Sequence, residues 1–177
     1  MKLRKRYVIL FAFSFLIVAL DQLTKMYVHM NYQLGESTPV IPGLFNLTYV
    51  RNFGAAFGFL AQTHPAFREI FFLAMPPVAL LIILLILRGV DDRDFYQVFA
   101  LSSVFGGAIG NYIDRLRFRY VIDFLDFHWK EQYTWPAFNI ADMAIVGGVM
   151  VLLTLMFIEG RKEAAAKSKK SGAESGL

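Results

Sequence analysis

The chain contains no cysteine. Disulfides, thiolate nucleophiles and cysteine-based metal sites are therefore excluded. Charge is scarce as well: 18% of the 177 residues are charged and 56% are hydrophobic, with a mean hydropathy of +0.48. A soluble domain carries about 25% charged residues, and here the apolar residues fall in long blocks rather than alternating with polar ones. Histidine is limited to His29, His64 and His128, scattered and without an HExxH pattern, which argues against a zinc hydrolase. Ser102 and Ser103 sit in an apolar run with no GxSxG and no neighbouring base, so their hydroxyls read as bonded to their own helix backbone. No metal and no other cofactor is expected.

What the sequence does have is greasy segments of spanning length, each needing about 20 residues. They predict an all-α integral membrane protein with four transmembrane helices, at about 7–28, 69–87, 95–114 and 140–158, in one domain over 1–159. The first run follows basic residues as a secretory signal does, but no small-residue cleavage site follows it, so it reads as an uncleaved span. Between the first two spans, residues 31–67 read as a small extramembrane β-platform. Pro39, Pro42 and Gly43 punctuate it, and Leu44–Asn52 (LFNLTYVRN) has strand character. The stretch GAAFGFL at 54–60 is expected as a short surface helix.

Pro76 and Pro77 should kink the second span, and Asp91, Asp92 and Asp94 should cap the third. Gly106 and Gly110 give that third span a small-residue face, with Gly147 and Gly148 on the fourth span as its expected counterpart. The basic tail over 160–177 is expected to be disordered or weakly helical.

Lys2, Arg4, Lys5 and Arg6 open the chain, and Arg161, Lys162, Lys167, Lys169 and Lys170 lie near its end. Such clusters suit anionic membrane lipids better than nucleic acid. Four spans put both termini on one side, and the basic tails make that side cytoplasmic. Arg115, Arg117, Arg119 and Lys130 on the outer loop count against this, but two basic tails outweigh one loop of mixed charge. Asp21, Asn52, Asp123 and Asp142 then share the outer face.

The chemistry concentrates in Gly106–Asp142. Asp123 lies in VIDF, in what reads as a short polar connection, and Asp142 in FNIAD at the mouth of the fourth span. Singly, Asp123 is a loop acid paired with an arginine and Asp142 a helix N-terminal acid. Together, at one crossover beside a bilayer, they suggest a carboxylate pair sharing one proton. That is the arrangement with which aspartic proteases activate water and polarise a carbonyl. Asn52, Asn111 and Asn139 cap helices and turns or steady an aspartate; Arg115 screens carboxylate charge or sits in an ion pair. Asp21 and Lys25, at i,i+4, suit an intrahelical ion pair, with a hold on a headgroup or substrate as the alternative.

Five ordered blocks carry a resemblance: DQLTK (Asp21–Lys25), NFGAAF (Asn52–Phe57), GGAIGNYIDR (Gly106–Arg115), VIDF (Val121–Phe124) and FNIAD (Phe138–Asp142). From about residue 7 to 159 the sequence resembles the lipoprotein signal peptidase family, the bacterial signal peptidase II. The resemblance implies an aspartyl endopeptidase of the bacterial inner membrane, with its active site at the periplasmic face. Its substrates would be prolipoproteins carrying diacylglycerol on a cysteine, cut just before that cysteine, and globomycin-type peptides would inhibit it. The family's catalytic pair falls on Asp123 and Asp142. Supporting residues fall on Asp21, Lys25, Asn52, Gly54, Asn111, Arg115 and Asn139. The 31–67 platform is expected to close over the cleft, keeping bulk water out. The runner-up is a proton-coupled carrier using the two carboxylates as a relay; a presenilin-type protease is disfavoured because no GxGD occurs in the apolar runs.

Overall fold

The computed structural model describes residues 4–54, 63–129 and 133–174. In chain order the elements are α1 (Lys5–Asn31), β1 (Ser37–Ile41), β2 (Phe45–Asn52), α2 (Pro65–Gly89), α3 (Phe95–Phe118), β3 (Val121–Trp129), β4 (Tyr133–Thr134) and α4 (Ile140–Glu174). Among the described residues, three helices, α1, α2 and α4, are long and apolar enough to cross a membrane. The less apolar α3 packs against all three.

Polarity is arranged inside out. Phe11, Phe15 and Leu23 of α1, Ile70 and Leu85 of α2, and Met150 and Phe157 of α4 face outwards, while Ser14, Asp21, Lys25, Asn111 and Asp114 are buried. Buried polar groups under an exposed apolar coat are the informative departure from a soluble fold. This is a membrane-embedded protein. Two apolar clusters bracket the buried polar groups. One joins α1, α2 and α3 through Leu10, Leu87, Val98 and Leu101; the other joins the sheet to α1 through Val28, Tyr49, Ile122 and Phe124.

Local signals explain the element ends. Asp94 caps α3 by accepting the Gln97 N–H at 3.1 Å, whereas Asp92 lies 3.6 Å from Arg6, whose guanidinium also donates to the Val90 carbonyl. The α2 helix runs unbroken through Pro76 and Pro77. Arg119 closes α3 in a left-handed conformation, φ 65°, and turns the chain back into β3. The four strands lie in the order β1-β2-β3-β4, each pair antiparallel. Strand β3 was expected as a polar connection; Val121, Ile122 and Phe124 instead bury it against the platform. The tail expected to be disordered or weakly helical continues α4 to Glu174. The surface helix expected at 54–60 lies, beyond Gly54, outside the described residues.

The small residues of α3 do not all meet the partners expected. Gly106 faces α1, where a Cβ would come 2.9 Å from the Ser14 Cα. Gly107 faces α4, where a Cβ would collide with the Ala141 carbonyl oxygen. On α4, Gly148 packs on α3, its would-be Cβ 2.6 Å from the Ala100 carbonyl and 2.8 Å from Val104, while a Cβ on Gly147 would have none of the described residues within 4 Å. Gly148→Ala should therefore destabilise the protein by about 1–3 kcal/mol through overpacking. Gly147→Ala should be neutral or stabilise by up to about 1 kcal/mol through helix propensity. Thermal unfolding of both variants in detergent micelles checks the contrast, and equal effects would contradict it.

Candidate active site

Asp123 is delivered by strand pairing. Asn52 pairs with Val121 and Val50 with Asp123 across β2 and β3, so Asn52 and Asp123 are diagonal neighbours on one sheet face. The Asp123 carboxylate, 1% exposed, accepts from Asn52 Nδ2 at 3.0 Å on Oδ2 and from Asn139 Nδ2 at 2.6 Å on Oδ1.

Asp142 is delivered by a helix start. Asn139, immediately before α4, accepts the Asp142 N–H at 2.9 Å, and Asp142 Oδ2 accepts the Asn139 N–H at 3.3 Å. This reciprocal pair is a capping box. A third amide of the same turn, Ala141 N–H, donates at 2.9 Å to Asp21 of α1. A carboxylate at a helix N-terminus also suits the helix dipole.

Three amide side chains connect the two carboxylates, and each is held in one orientation by a group that can only donate. Gly54 N–H donates to Asn52 Oδ1 at 2.9 Å, Asp142 N–H to Asn139 Oδ1, and the Lys25 ammonium to Asn111 Oδ1 at 2.9 Å. With each oxygen committed, each NH2 is left to face a carboxylate. Asn52 and Asn139 point theirs at Asp123, and Asn111 points its own at Asp142 Oδ1, 2.8 Å away.

Below these amides lies a buried ion cluster. Lys25 contacts Asp21 at 2.8 Å and Asp114 at 3.1 Å, and all three side chains are at most 1% exposed. Asp114 Oδ2 accepts the Ile122 N–H at 3.0 Å, which ties the start of β3 to α3. Gln22 bridges the cluster, donating to Asp114 Oδ1 at 2.9 Å and to the Gly110 carbonyl at 3.1 Å.

Asp123 and Asp142 open into one cavity of about 1210 Å³, walled by β2, β3 and the first turns of α4. Its lining is mostly apolar, with Phe53, Trp135, Met143 and Val146 around the carboxylates. Burial, followed by the negative charge of Asp142, pushes the Asp123 carboxyl up to about 7, against the opposing pull of the Asn52 and Asn139 donors and the Lys25 charge. A carboxyl so shifted is available as a proton donor near neutral pH. Among the described residues, no group of three or more His, Asp or Glu is placed to hold a metal ion.

The residues singled out in the sequence divide into two layers. Asp123, Asp142, Asn52, Gly54, Asn111 and Arg115 line the cavity. Asn139, Asp21 and Lys25 lie behind it, and Asp21 and Lys25 form their expected ion pair inside the protein rather than facing a headgroup. Arg115 is bound to the Gly54 carbonyl at 3.1 Å and stacks over Phe72; among the described residues it makes no ion-pair contact, while its charge faces Asp142, Asp123 and Asp114. Asp114 and Gln22 were missed. The signal was there: Gly107, Gly110, Asn111 and Asp114 recur at i, i+3, i+4 and i+7, marking one small, polar helix face.

A family model described as signal peptidase (SPase) II matches residues 13–158. A lipoprotein signal peptidase of Syntrophus aciditrophicus is 49% identical over 148 residues, covering 84% of this chain and 91% of that relative. One from Geobacter sulfurreducens is 47% identical over 147 residues, covering 83% and 90%. A solved bacterial membrane enzyme shares the fold with a TM-score of 0.74 at 30% identity, over 85% of this chain and 88% of that one. The carrier reading gains nothing from these likenesses. A match over nearly all of the membrane domain, together with relatives this similar, means that the chain belongs to the signal peptidase II family of proteases.

Proposed function

We propose that this peptidase removes signal peptides from bacterial prolipoproteins just before a diacylglyceryl-modified cysteine, with Asp123 and Asp142 as its catalytic pair. The observation that carries the assignment is two carboxylates from separate elements opening into one largely apolar cavity, each oriented by an amide of fixed direction. Asp142, only half-buried, takes a proton from water, which attacks the scissile carbonyl carbon. Asp123, protonated near neutrality, donates a hydrogen bond to the carbonyl oxygen as charge develops there. Collapse of the tetrahedral intermediate breaks the C–N bond. The new cysteine amine takes the proton from Asp142, and the signal peptide leaves with a free carboxyl.

In this reading α3 is a fourth span, buried among the other three and so less apolar than they are. Both termini are cytoplasmic, and the cavity opens at the periplasmic face of the inner membrane. The apolar outer surfaces of α1, α2 and α4 meet membrane lipid. Platform strand β2, with Arg51 and Asn52 at the cavity edge, supports a role for the platform in covering bound substrate. Globomycin-type cyclic peptides would compete for the same cavity.

Asp123→Asn and Asp142→Asn should each fold and bind substrate yet lose about 10²–10⁴-fold in kcat, the range that acid–base groups contribute. Cleavage of a diacylglyceryl-modified prolipoprotein in detergent measures this, and near-normal turnover by either variant would remove the pair. Because Asp123 must carry a proton and titrates at about 7, kcat should fall as pH rises through that value. A profile that stays flat well above it would take the donor role from Asp123. The lack of native cysteine makes topology directly measurable. A cysteine at Ser37→Cys should react with an impermeant maleimide in intact spheroplasts, and one at Ala164→Cys only after lysis. The reverse pattern would invert the topology.

A further inference from the structure

We infer that Lys25 is a positioning residue that fixes the direction of the Asn111 amide, keeps its NH2 on Asp142, and so holds that carboxylate in its proton-accepting role. The inference rests on the pair of aspartates proposed above and adds a residue that does not line the substrate cavity.

An asparagine amide can present either end to a neighbour, and the ends do opposite things to a carboxylate. The NH2 end donates and favours the anion; the oxygen end repels the anion and favours the protonated acid. What decides between them is whatever else touches the amide. At Asn111 that is an ammonium, which has hydrogens to give and no lone pair to receive. The Asn111 atom 2.9 Å from Lys25 Nζ is therefore the oxygen, and the NH2 must face Asp142, 2.8 Å away.

Lys25 is itself immobilised. Its three hydrogens have three acceptors, Asp21 at 2.8 Å, Asp114 at 3.1 Å and Asn111 at 2.9 Å, and the side chain is 1% exposed. Asp21 also caps α4 through Ala141 N–H, while Asp114 holds Ile122 N–H at the start of β3. The same ammonium thus references both sides of the site: the helix start that carries Asp142 and the strand that carries Asp123.

Among the described residues, the one other donor at Asn111 Oδ1 is Asn139 Nδ2, at 3.1 Å. That group is also shared with Asp123 at 2.6 Å and the Ile122 carbonyl at 3.3 Å, so it cannot replace the ammonium as a fixed reference. Charged groups facing this network are Asp21 from α1, Asp114 and Arg115 from α3, Asp123 from β3 and Asp142 from α4. Of these, Arg115 bonds the Asn111 backbone carbonyl at 3.4 Å.

The test is a double-mutant cycle on prolipoprotein cleavage by the full chain in detergent. Lys25→Met alone leaves two buried carboxylates facing each other and risks misfolding. Lys25→Met combined with Asp114→Asn retains the single negative charge of the cluster and is the main variant. It should lose about 10²-fold in kcat with KM unchanged, as expected when a residue outside the cavity acts only by holding a reacting group in place. Introduced into Asn111→Ala, the same two substitutions should cost little more than Asn111→Ala alone, because the amide they act through is gone. The inference is overturned if the folded double variant keeps wild-type kcat, if its loss multiplies with that of Asn111→Ala, or if neither Lys25 variant folds, which would make the cluster purely structural. Retained cleavage by Asp142→Asn would instead defeat the catalytic assignment, a separate outcome.

Discussion

Asp21 holds the start of α4 from a neighbouring helix, and the buried Lys25 ammonium holds Asp21. Burying a charge costs several kcal/mol even after relaxation, and breaking a buried ion pair by removing one partner costs about 3–5 kcal/mol. Such a group persists only where every hydrogen is satisfied, and here each one is. Each of those bonds leads to an element of the cavity: through Asp21 to the first turn of α4, through Asp114 to β3, and through Asn111 to Asp142. Two elements of the site, β3 and the start of α4, are thereby referenced to one nitrogen atom on α1.

Short side chains complete such a network only if the backbones come close. The glycine face of α3 supplies that proximity, with Gly106 against Ser14 on α1, Gly107 against Ala141 on α4, and Gly110 beneath Asp21. A Cβ at Gly110 would come 2.6 Å from the Asp21 carboxylate itself. Where apolar burial gives little preference for one helix over lipid, close packing and interhelical hydrogen bonds carry the association. The requirement for a tight bundle and the requirement for a polar site are thus met by the same residues.

The proposed chemistry follows from an asymmetry of burial. Asp123 is enclosed by β2, β3 and Asn139, so low solvation and the adjacent charge of Asp142 favour its protonated form. Asp142 sits half-buried in a helix first turn, with an NH2 and a backbone N–H on its oxygens. In the proposed mechanism two identical side chains take different roles from their surroundings, as paired carboxylates do in acid–base catalysis. The apolar cavity wall then suits the proposed lipid-bearing substrate.

The apolar runs, the platform strand β2 near Leu44–Asn52, the Asp94 cap and the Asp21–Lys25 pair were all legible because each depends on residues near one another in the chain. So were the five blocks that carry the family. Strand β3 was not legible, because VIDF becomes a buried strand only when β2 offers an edge and Val28 and Tyr49 offer a surface. Nor was the difference between Gly147 and Gly148, since helix rotation decides which glycine meets α3. Asp114 passed as the end of a span, because its partners are 89 residues back at Lys25 and eight residues ahead at Ile122. The sequence by itself determined which segments are apolar and which polar residues interrupt them, a matter of composition and short-range spacing. Only the tertiary structure decided which of those polar groups share a hydrogen bond and which way each amide points, because direction is set by the donor or acceptor that folding brings alongside.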